Sequence, residues 1–154
     1  MSENWAEEAG ERARLRAAAE QEVSKKASAR VAAIASRSQE TWAELVRIAH
    51  TAIRSFNSKL QDYPDEQLKF EVEEEQRVVR ASSGTGIERV TISLQPSGIG
   101  VLYQSAGYEE REENWDFEPI PSEPVMKVVR RQGGGLVAIS DAVKIILLPI
   151  FEPQ

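Results

Sequence analysis

The sequence predicts an α+β chain: a long N-terminal helix, an antiparallel β-meander of about five or six strands, and a short C-terminal helix. Composition is the first reason. Fourteen of the 18 alanines fall in residues 1–60, which hold no proline, whereas residues 61–154 hold all seven prolines and eight of the nine glycines. Alanine without proline favours helix, while glycine, proline and β-branched residues at short intervals favour strands and turns. Periodicity is the second reason. Apolar residues of the first part recur at helical spacing, and those of the second part alternate.

Val23, Ile34, Leu45 and Phe56 are each 11 residues apart, as are Ala27, Ser38, Ala49 and Leu60, and Val31, Trp42 and Ile53 form a third row. An 11-residue period is about 3.67 residues per turn, close to an undistorted helix, so these rows share one face. The phase runs through the polar stretch Ser36–Thr41, which favours one helix over 23–60. A break near 36–41 is the competing reading, because Thr41 and Glu44 have capping-box spacing and Ser38 is also a cap residue. Residues 1–22 form a charged extension, helical or frayed, with only Trp5 and Leu15 as large apolar side chains. Residues 23–154 then form a single domain, with its helix at 23–60, its sheet at 67–139 and a C-terminal helix at about 141–148.

Length makes helix continuity matter. A helix over 23–60 runs about 57 Å, whereas a globule of this chain length is about 38 Å across. Its own domain cannot cover all of it. Val23, Val31, Ile34, Trp42 and Leu45 are therefore the expected interface of a homo-oligomer, a dimer being favoured. Leaving such side chains wet forgoes roughly 1.5–3 kcal/mol each.

The meander follows in order. Leu68, Phe70 and Val72 alternate with charged residues, and this strand is expected to run through Val78 and Val79 across a bulge. Ser82–Gly86 makes a turn. Val90, Ile92 and Leu94 mark the next strand, and Gln95-Pro96-Ser97-Gly98 turns it. Ile99, Val101 and Tyr103 follow, then a turn at Ala106-Gly107, then a strand within Tyr108–Phe117 with Trp115 and Phe117 on one face. Pro119, Pro121 and Pro124 stiffen the connection to a last hairpin around Gly133-Gly134-Gly135. Ser140 as N-cap and Asp141 in the first turn open the C-terminal helix, and Pro149 is expected to end it. A strand over 144–148 is the alternative.

The same residues exclude several chemistries. No cysteine and one histidine leave no thiolate nucleophile, zinc ribbon or multi-histidine metal site. Net charge −6 argues against nucleic acid as a partner. No apolar run is long enough to span a bilayer, and the acidic N-terminus lacks a signal-peptide core, so a soluble cytoplasmic protein without membrane contact is expected. Ser82–Gly86 lacks the lysine and helix of a phosphate loop. Glu109–Glu113 lacks the spacing of a calcium loop and reads as a solvated or edge-protecting run. His50 has no hydrolase partner in the pattern. No catalytic, cofactor-binding or metal-binding residue is therefore assigned, and no cofactor is expected. Phe70, Tyr103, Trp115 and Phe117 are the candidate ligand or partner face.

Three functions follow. The leading one is a non-enzymatic interaction or assembly module that self-associates through its N-terminal helix. The second is a carrier or enzyme holding an apolar ligand between sheet and helix. The third is an acidic chaperone-like protein whose sheet half, net −8 over residues 61–154, receives a basic client.

Overall fold

The computed structural model describes residues 4–152. The chain divides into two compact units between Ala33 and Ile34. Helix α1 (Trp5–Ser58) is unbroken, so the expected alternative of a break near 36–41 does not occur. The polar side chains there find other partners. The Ser38 hydroxyl donates to the Ile34 carbonyl at 2.7 Å. This i−4 back-bond is one that helices accommodate. The Thr41 hydroxyl accepts the Met126 N–H at 2.9 Å instead of capping a helix. Glu44 reaches forward to Arg47 rather than back to Thr41.

In the unit up to Ala33, the described residues are alanine-rich helix. All are exposed except the half-buried Ala9 and Ala33. An i,i+3 ion pair, Glu11 to Arg14, lies on its surface. The Arg14 guanidinium holds the Glu11 carboxyl below its usual range. Such exposed pairs add little to a helix.

The unit from Ile34 carries the sheet: β1 (Lys69–Glu73), β2 (Val78–Ser82), β3 (Glu88–Gln95), β4 (Gly98–Ser105), β5 (Arg111–Glu118), β6 (Lys127–Arg130) and β7 (Leu136–Val137). All neighbours are antiparallel, and spatial order equals chain order. There are seven strands rather than five or six. The extra one arises because the expected bulge before Val78 is a turn, with Arg77 at φ 54°. Val72 and Val79 lie at positions of opposite parity, so one straight strand would put them on opposite faces. The turn pairs them directly and keeps both on the same face.

Alternation decides the inner face. Val79, Ile92, Ile99, Trp115, Phe117 and Val128 are almost fully buried. Trp42, Leu45, Ala49 and Ile53 of α1 join this core, as do Ile139, Val143, Ile146, Leu147 and Ile150 of helix α2 (Ile139–Phe151). Both helices thus pack on one face, leaving the other polar. The geometry fits the lengths. From Thr41 to Asn57 a helix advances about 24 Å, which matches five strand spacings of about 4.8 Å. Thr41 accordingly meets Met126 before β6, and Asn57 exchanges two hydrogen bonds with the Leu68 backbone before β1. Gly98 allows a close approach, since a Cβ there would sit 1.9 Å from the Trp115 carbonyl oxygen.

The C-terminal segment is helix, not strand, but two of its expected boundaries shift. Ala138 rather than Ser140 is the N-cap residue, and Pro149 lies inside the helix. Proline has no N–H for the Ile145 carbonyl, yet the next turn closes through the Glu152 N–H to the Leu148 carbonyl at 2.8 Å. Phe151 then stacks on Phe56 with ring centroids 5.0 Å apart. Among the described residues, no helix is long and apolar enough to cross a membrane.

Candidate functional site

The five candidate interface residues separate into two groups. Val23 and Val31 are 68% and 66% exposed, whereas Ile34, Trp42 and Leu45 are buried in the chain's own core. The latter three are therefore corrected from interface to core: the α1 stretch that crosses the sheet covers them. Trp5 and Leu15, read from the sequence as part of a segment with little to bury, are 68% and 55% exposed. The unpartnered apolar surface of the helix is thus Trp5, Leu15, Val23 and Val31, all within residues 5–33.

The four residues of the candidate ligand face also separate. Trp115 and Phe117 point into the core and fill it rather than line a surface. Phe70 is half-buried and stacks almost parallel on His50, with centroids 5.3 Å apart. His50 is otherwise exposed. Tyr103 alone lines a cleft of about 630 Å³, between the ends of β3 and β4 and the C-terminal turn of α2 at Leu148–Ile150. A second cleft of about 400 Å³ lies between Phe56, Leu68, Ser83–Thr85 and Phe151.

Beside Tyr103 lies a polar cluster that composition did not reveal. Glu113 sits on the inner face of β5 and is only 5% exposed. Its carboxylate pairs with Arg130 of β6, whose guanidinium lies over the Trp115 ring. The Arg111 guanidinium covers the Tyr103 ring at 4.3 Å. Burial pushes the Tyr103 phenol up to about 12, with the nearby Glu113 carboxylate adding to the effect. The phenol therefore keeps its proton to higher pH than a free tyrosine does. The Trp115 Nε1 and Arg130 Nε find no hydrogen-bond partner among the described residues. Each such orphan costs roughly 1–3 kcal/mol.

Of the acidic run, Glu109, Glu110 and Glu112 are solvated as expected, whereas the edge-protecting alternative does not hold. The run's strand, β5, lies between β4 and β6 and so protects no edge. Glu113 is buried, and Asp116, on the polar face, pairs with Arg131 at 2.8 Å. On the same polar face Glu73 pairs with Arg80. The acidic half is thus laced with its own bases rather than presenting one uniform negative face. Among the described residues, no three histidine or carboxylate side chains gather as metal ligands.

The signal for Glu113 was present in the alternation. It has the same parity as Trp115 and Phe117, so it must face the core with them. Comparison with protein-family models, curated proteins and solved structures gives no match for this chain.

Proposed function

We propose that the chain is a non-enzymatic self-association module, joined as a dimer through the helical segment that carries Val23 and Val31. One observation supports this reading above others: both valines stand about two-thirds exposed on a helix that buries none of its residues between Trp5 and Val31. Most helical stability in proteins comes from packing an apolar face. A second copy supplies that packing without a further gene product, and closed two-fold pairing is the commonest way for it to do so. A cytoplasmic setting accords with a sequence that has no cysteine to oxidise.

The test compares the chain with its Val23→Asp/Val31→Asp variant over a concentration series. Two charges placed in the seam should weaken association at least tenfold while leaving the thermal melting of the sheet unit unchanged. Equal association of variant and parent would remove this surface from consideration.

The cleft beside Tyr103 favours a second reading, a carrier of a small ligand. Its wall combines apolar Leu148, Pro149 and Ile150 with a protonated phenol and the Arg111 guanidinium, the mixture of apolar lining and few polar groups that ligand pockets show. A thermal-shift screen against lipids and metabolites tests it. A stabilising hit that Tyr103→Ala abolishes would support it, and a screen without hits would dismiss it.

A further inference from the structure

The residues along one stripe of α1 are Trp5, Ala9, Ala13, Arg16, Glu20, Val23, Ala27 and Val31. At about 100° per residue they fall within an arc of roughly 80°. Their order has a symmetry that the apolar spacing alone does not show. Residues equidistant from Ala18 are Trp5 and Val31, Ala9 and Ala27, Ala13 and Val23, and Arg16 and Glu20; the last two pairs are complementary, in size and in charge respectively. We propose that two copies pair antiparallel through this stripe, with the two-fold axis at Ala18.

This rests on the self-association reading and adds its orientation and register. In the antiparallel pair each layer occurs twice. Large faces small in the valine–alanine layers, and the two-fold brings two Arg16–Glu20 pairs together at the centre. Glu8 and Lys26 lie on one flank of the stripe, and the same operation brings each within about half a turn of the other's copy. In a parallel, in-register pair the same stripe sets Arg16 on Arg16 and Glu20 on Glu20. Opposite charges across a helix seam set partner orientation, and like charges oppose it. Charge therefore selects the antiparallel form. The exposure of Trp5, Val23 and Val31 at 68%, 68% and 66% leaves this stripe open to a second copy.

The sequence has no cysteine, so one introduced cysteine is a unique labelling site. The full chain carries a spin label at Ala18→Cys or at Ala29→Cys, both outside the stripe, and pulsed dipolar spectroscopy reads label-to-label distances. Position 18 lies on the face opposite the stripe, so the proposal expects its two labels at the same height, separated only by the width of the helix pair. At position 29 it expects the labels to lie about 33 Å apart along the axis, twice 11 residues from the two-fold. Equal separations at the two positions would mean a parallel dimer, overturning the orientation while sparing self-association. No dipolar coupling at position 18 in a chain of monomer mass would overturn both. As a second readout, Arg16→Glu should weaken the dimer about tenfold, and Arg16→Glu/Glu20→Arg should restore it. An unchanged dimer in Arg16→Glu would contradict the central layer.

Discussion

Arg130 and Glu113 pair across β5 and β6 with the carboxylate almost enclosed. Its desolvation is therefore already incurred, and the guanidinium offsets it. Removing one partner leaves an uncompensated buried charge, at about 3–5 kcal/mol. Arg130→Met should therefore lower the denaturant-derived stability by about 3 kcal/mol. Glu113→Leu/Arg130→Met should recover most of that, because removing both charges removes the debt. A double variant no more stable than the single one would contradict the account. Tyr103 makes a second prediction. Its phenol is raised from 10.0 to about 12, so between those values the folded chain holds a proton that the unfolded chain has lost. This contribution to stability is fully present below pH 10 and declines as pH rises towards 12. Urea midpoints should fall over that window, and Tyr103→Phe should flatten the fall. An identical slope in the variant would refute the assignment.

The elements separate what was legible in the sequence from what was not. The 11-residue rows place α1 correctly because its phase is unbroken from Val23 to Phe56. The same continuity hides where cover begins: Val23 and Ile34 share a row, yet one is open and the other enclosed. Only the sheet's width decides that boundary, and width is a tertiary quantity. The turn at Arg77 was concealed for a related reason. A parity change between Val72 and Val79 admits either a bulge or a turn, and local pattern does not choose. Thr41 resembled a cap because its partner, the Met126 N–H, lies 85 residues away. Trp115 resembled a surface anchor because charged residues flank it, although its alternation with Asp116 and Phe117 marked the inner face. Hydrogen exchange tests the division of α1. Amides of 41–56 should exchange only with unfolding of the core. Those of 5–33 should gain protection as concentration rises. Protection in 5–33 independent of concentration would mean that the segment needs no partner.

At the scale of the whole molecule, the sheet unit from Ile34 completes its own core, whereas the helical segment up to Ala33 completes nothing by itself. Burial on folding and burial on association draw on the same hydrophobic term, roughly 25 cal/mol per Å². A stripe left out of the first is available to the second. Size-exclusion chromatography with light scattering at high micromolar concentration tests this most directly. The account predicts a mass twice that of the 17.2 kDa chain, falling towards one chain on dilution. A mass of 17.2 kDa at the highest concentration would contradict it.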